Sequence, residues 1–82
     1  MKAITTKFHG PGNVRGSRYS ATDGDNRVFL GADDALSSEG NHDAAAVALC
    51  AKLGWKGVLV RGGTKQGNVY VWDGVTERIA LG

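Results

Sequence analysis

The 82-residue chain holds one cysteine, one proline, one methionine and two histidines, with only two each of Phe, Trp and Tyr. A lone cysteine cannot close an internal disulfide, and Cys50 falls inside an apolar helical pattern, where cysteine behaves as a small buried hydrophobe. Long apolar runs are missing too. The longest, Ala44 to Ala51, is roughly half the length that crosses a bilayer, and the N-terminus lacks the apolar stretch and small-residue cleavage site of a secretory signal. These absences predict a cytoplasmic protein without membrane attachment. Neither His9 nor His42 stands at metal-ligand spacing from a second His or Cys. Glu39 and Asp43 near His42 fit a helix start instead. No Ser-His-Asp or Cys-His arrangement can be defended and no cofactor motif is found, so the expectation is that the chain is no enzyme and needs no metal or cofactor.

What is present is ordinary for a folded domain. Apolar residues make up 41% and charged residues 22% of the chain, enough to build one core, and the absence of linkers and repeats predicts a single domain over 1–82. The net charge of +2 is too mild to demonstrate nucleic-acid binding and of the wrong sign for a mimic of DNA. Its distribution is uneven. Lys2, Lys7, Arg15, Arg18 and Arg27 crowd the first third, and Asp33, Asp34, Glu39 and Asp43 follow directly.

Period-two alternation marks strands at Lys2–Phe8 and Ser17–Thr22, and Arg27–Leu30 is a further short apolar run joined to the second by Asp23-Gly24-Asp25-Asn26, a turn-forming run. Asp23, Asp25 and Asn26 also open like a calcium loop, but Arg27, Val28 and Phe29 occupy the places where further oxygen ligands are needed. His9 to Gly16, with three glycines and the only proline, must be a loop. It lacks the Gly-Lys-Ser/Thr ending of a phosphate-binding loop. Residues His42, Ala45, Ala46, Leu49, Cys50 and Leu53 recur at helical spacing, with capping residues before them and Gly54 after, which predicts a helix over about 40–53. Val58–Arg61 and Asn68–Trp72 flank a glycine-rich connection as a second hairpin, and Val75–Leu81 has the composition for one more strand. The fold class expected is α+β, an antiparallel sheet of four to six strands packed on a single helix in the order β-β-β-α-β-β, with a possible last β. Its core should contain Ile4, Phe8, Ala46, Leu49, Cys50 and Leu53.

The opening Lys2-Ala3-Ile4-Thr5-Thr6-Lys7, then Gly16-Ser17-Arg18, Asp23-Gly24-Asp25, and Ala48-Leu49-Cys50 with Gly54-Trp55 resemble a set of small uncharacterised proteins of phages and mobile elements of proteobacteria. Ala44 and Ala45 depart from that pattern by replacing more polar residues. The resemblance implies an accessory role in a mobile element. It extends to stoichiometric binding of a host or element-encoded protein complex, as in an inhibitor of a host defence system such as CRISPR-Cas.

Two surfaces are candidates for binding. The first is a protein interface built on Arg61, Lys65, Tyr70 and Trp72. A single-layer sheet buries only one face fully, so either Tyr70 and Trp72 or the opposite Val69 and Val71 must be partly exposed, and the aromatic pair is the usual kind of interface anchor. The second is a nucleic-acid patch of Lys7, His9, Arg15 and Arg18, with Tyr19 as a stacking ring. A virion or scaffold subunit is a third reading. Convergence of the basic residues on one surface with Tyr19 would favour nucleic acid, and their scatter around the domain would not.

Overall fold

In the computed structural model, which describes residues 2–11, 16–74 and 79–81, alternation along the first strand is preserved: Ile4 and Thr6 are buried while Thr5 and Lys7 are exposed. This strand, β1 (Ile4–His9), is followed by β2 (Arg18–Thr22), β3 (Arg27–Gly31), α1 (Ser38–Leu53), β4 (Leu59–Gly63) and β5 (Gly67–Trp72). The chain is α+β, as expected. All five strands form one antiparallel sheet in the order β3-β2-β1-β5-β4, and the helix enters the chain between β3 and β4. The final strand considered over Val75–Leu81 falls largely on residues 75–78, outside the described residues, and residues 79–81 are not in a strand.

Each end of α1 is fixed by local chemistry. The Ser37 hydroxyl accepts from the Gly40 N–H at 3.1 Å, satisfying one of the amides that a helix start leaves without a partner. At the other end Gly54 adopts φ 72°, and the N–H of Trp55 donates to the Cys50 carbonyl at 2.9 Å, the closure a left-handed cap provides. Asn41 ties the preceding loop to the helix. Its amide donates to the Asp33 carbonyl at 3.1 Å, and its side-chain oxygen accepts from the Asp33 N–H at 2.8 Å.

The core lies between α1 and one face of the sheet. The helix contributes Ala45, Ala46, Leu49 and Cys50, and the sheet contributes Ile4, Tyr19, Ala21, Tyr70 and Trp72. Small helical side chains thus meet large sheet side chains, which lets the helix axis approach closely while the aromatic rings fill the space beside it. Trp55 packs on Trp72 edge to face at 6.0 Å between centroids, covering the helix's C-terminal end. Leu53 is only half-buried, and Phe8, expected in the core, is 45% exposed. The cover that α1 gives to this end of the sheet reaches Thr6 and Tyr19 through His42, and Phe8 gains only an edge contact with Tyr19 at 5.2 Å.

A polar cluster interrupts the core where β1 meets β5. Thr6 Oγ1 lies 2.8 Å from His42 Nδ1, donates to the Asn68 carbonyl at 3.3 Å and accepts from the Asn68 N–H at the same distance. Beside it Gly67 is obligatory, because a Cβ there would lie 2.0 Å from the Thr6 carbonyl oxygen.

Leu49 is fully buried and Val47 is 62% exposed on the same helix. Leu49→Ala should therefore destabilise by about 2–5 kcal/mol, against within about 0.5 kcal/mol for Val47→Ala. Urea unfolding followed by circular dichroism measures both. Equal midpoints for the two variants would contradict this packing.

Candidate nucleic-acid interface

Alternation that sends Tyr19, Ala21, Tyr70 and Trp72 toward the helix sends their neighbours to the opposite face, and no described element covers it. The strand registers arrange these neighbours in rows. One row runs Gly31, Arg18, His9; the next runs Phe29, Ser20, Lys7, Gly67; a third runs Arg27, Thr22, Thr5, Val69, Gly62. With strands about 4.8 Å apart, Phe29 and Lys7 stand about 10 Å from each other, two strands distant. Val71 and Val60 end the face on the β5–β4 side.

The β3-β2-β1 half of this face is cationic and aromatic. Phe29 is 46% exposed. The Arg18 guanidinium carbon lies 4.9 Å from its ring centroid, and the His9 ring is tilted against it at 5.4 Å. His9 Nε2 is 2.8 Å from Ser20 Oγ. Partial burial, then the charges of Arg18, Lys7 and Arg27, hold the His9 imidazolium below the ordinary histidine range.

Carboxylates are elsewhere. The described ones sit in turns (Asp23, Asp25, Asp73), in the loop after β3 (Asp33, Asp34) and on the helix (Glu39, Asp43). Asp34 borders the shallow depression that holds Arg18 and Phe29, at the sheet's edge. Asp23 is engaged locally, accepting from the Asp25 and Asn26 N–H groups at 2.9 and 2.7 Å. These amides, Asn26 first, hold its carboxyl below the ordinary range. Lys2 pairs with Asp25 across the turn. No group of three or more His, Cys, Asp or Glu side chains is gathered for a metal among the described residues, and no described helix is long and apolar enough to cross a membrane.

The structure brings Lys7, His9 and Arg18 together, while Arg15 lies outside the described residues. Tyr19 does not join them. It is 6% exposed on the opposite face of β2, with its ring against His42 at 4.8 Å, so the stacking role expected of it is corrected. Phe29 stands where that ring was expected, with Arg27 on the same side. The signal was available: Phe29 alternates with Val28 and Leu30, and a hairpin pairing β2 with β3 sets it opposite Ser20, not Tyr19.

The protein-interface candidates are dispersed. Tyr70 and Trp72 are 4% and 8% exposed and belong to the core, so Val69 and Val71 form the open side of β5. Trp72 Nε1 donates to the Lys2 carbonyl at 3.0 Å. Tyr70 donates to Asp43 at 2.5 Å, and burial together with that carboxylate pushes its hydroxyl up to about 12. Arg61 is held by Asp43 at 2.7 Å and by Glu39 at 2.9 Å, leaving its charge compensated, and Lys65 is exposed at the β4–β5 tip. Cys50 is buried, and burial pushes its thiol up, which suits a packing role.

Comparison of the chain with protein-family models, curated proteins and solved structures returns no match. The site therefore stands on its own geometry.

Burial alone would raise the Asp43 carboxyl, but the hydrogen bonds from Tyr70 and Arg61 and the Arg61 charge outweigh it and hold the group below its ordinary value near 3.8. A depressed folded value stabilises above the unfolded value and is lost as pH falls through the folded one. Asp43→Asn should flatten the loss of stability below about pH 4 that the parent shows. Urea midpoints from pH 2 to 6 measure it, and parallel acid limbs would remove Asp43 from the account.

Proposed function

We propose that the open sheet face binds single-stranded nucleic acid, with a base on the Phe29 ring and the backbone drawn along Arg18, Lys7 and Arg27. The observation that carries this reading is the exposed Phe29 set among converging cations on a sheet face whose strand residues include no carboxylate. Cations attract the phosphate chain and an exposed ring supplies a stacking partner, a combination that suits unpaired bases. In a duplex the bases already stack on one another, so Phe29 would gain little. An open β-sheet also presents a surface wide enough for several nucleotides, since five strands span about 19 Å.

A protein partner anchored on Tyr70 and Trp72 is disfavoured, because exposing either would dismantle the core. Inhibition of a host defence system rests on the resemblance to mobile-element proteins alone, and an accessory protein of such an element can act through nucleic acid as readily as through protein.

Fluorescence anisotropy with a labelled dT or rU oligonucleotide at low salt tests the reading. Phe29→Ala should weaken binding by about 1–3 kcal/mol with little change in the unfolding midpoint. Arg18→Gln and Lys7→Gln should each lower the log–log salt slope by about 0.7, one phosphate contact on a single strand. Lys65→Ala should have the smallest effect. No binding at low salt, or full affinity in the Phe29 variant, would defeat this assignment.

A further inference from the structure

Between β1, β2 and the tip of the β4–β5 hairpin the open face deepens into a cleft of about 340 Å3, lined by Lys7, His9, Ser20, Thr22, Arg27 and Gln66 among others. We propose that this cleft is a phosphate seat in which Lys7, Arg27 and the His9 imidazole hold one phosphate group of the ligand, with Ser20 at its floor; the Thr22 hydroxyl, which donates to the Asn26 carbonyl at 2.7 Å, belongs to the turn. The proposal rests on the same face as the nucleic-acid reading but is separable from it, because the seat is defined by phosphate chemistry and not by base stacking.

Three features support it. The lining residues supply ammonium, guanidinium, imidazole, hydroxyl and amide groups and no carboxylate, so every charged group there is a donor to phosphate oxygens and none repels them. Ser20 is 5% exposed and its Oγ is 2.8 Å from His9 Nε2, which fixes the ring at the wall of the cleft while the Phe29 ring restrains it from the side. Finally, among the described residues the charges acting on His9 are all positive: Lys7 on its own strand, Arg18 on β2 and Arg27 on β3, while Thr64 and Gln66 from the hairpin tip are neutral. Asp23 and Asp25, in the turn beyond Thr22, are occupied by backbone amides and by Lys2. An anion placed here relieves the repulsion among these cations.

A consequence follows for protons. The cations lining the cleft disfavour the imidazolium, and a phosphate group favours it, so binding of a phosphodiester, whose charge is constant over this range, should take up a proton and strengthen as pH falls from about 7 to 5.

The experiment follows the His9 ring resonances by NMR from pH 4.5 to 8.5 in the full chain, with inorganic phosphate as probe against sodium chloride of equal ionic strength. Phosphate should raise the apparent pKa of His9 by about one unit, the effect of an opposite charge at contact range. Lys7→Gln and Arg27→Gln, both at exposed positions, should each diminish the response. A second arm compares a 5′-phosphorylated with a 5′-hydroxyl dT oligonucleotide. About tenfold tighter binding of the phosphorylated strand assigns the seat to a terminal phosphate, and equal binding with the same His9 shift assigns it to a phosphodiester within the strand. An equal response to chloride, or no His9 shift with phosphate or either strand, overturns the seat. Strand binding at Phe29 without a His9 shift overturns the seat and leaves the interface standing, whereas a phosphate-driven shift without strand binding supports the seat and removes the interface.

Discussion

One helix cannot cover both sides of a sheet. The sixteen residues of α1 make a cylinder about 24 Å long and about 10 Å wide, and the sheet beneath it is about 19 Å across. Every strand therefore has to divide its side chains between a dry face and a wet one, and the division decides most of what the molecule presents. The dry face takes Ile4, Ala21, Tyr19, Tyr70 and Trp72, and the helix answers with Ala45, Ala46 and Leu49. The wet face takes what remains. In β1, β2 and β3 that remainder is hydroxyls, cations, one imidazole and one phenyl ring, and in β5 and β4 it is valine and glycine.

The same constraint explains why tyrosines and a tryptophan are used in the core of so small a domain. Alanines on the helix bring the backbones together but leave room at the flanks, and long aromatic side chains bury much area per residue while their polar ends reach the rim. Tyr70 ends on Asp43 and Trp72 on the Lys2 carbonyl, so neither polar tip is stranded. Asp43 in turn holds Arg61, which belongs to the outermost strand. Core packing and the charge pairs at the helix's first turns are thus one connected arrangement, and it excludes Arg61 from the free cations of the molecule.

Period and punctuation made the architecture legible. Helical spacing from His42 to Leu53, Gly54 at the cap, alternation in the first two strands and short β-branched or apolar runs in the other three carry the helix, the strands and their type. Face assignment was harder. In β5 both Val69 and Val71 and the aromatic pair are apolar, and choosing between them requires knowing what the helix offers opposite; alanines call for large partners, which favours the aromatic set. Tyr19 was misplaced for a related reason, since a tyrosine suits either a rim or a core and its own strand alternates with residues that are small or polar. Phe29 was missed because Arg27 to Leu30 reads as a plain apolar run until the hairpin register is imposed. The cluster of Lys7, His9 and Arg18 was visible because those residues are close in sequence, and β1 pairs antiparallel with β2.

The place of β1 in the sheet has a consequence for how the chain acquires its structure. The first strand is central, with β2 on one side and the last described strand, β5, on the other. Thr6 and Asn68, which bond each other across that junction, are separated by 62 positions. Pairings so distant in sequence close late, because the loop entropy must be met before they contribute. Until they close, the first three strands and the helix lack Tyr70, Trp72 and the strand that shields one edge of β1. A nascent chain that has not yet released β5 from the ribosome therefore holds an unfinished core, open to chaperone capture or edge-to-edge association.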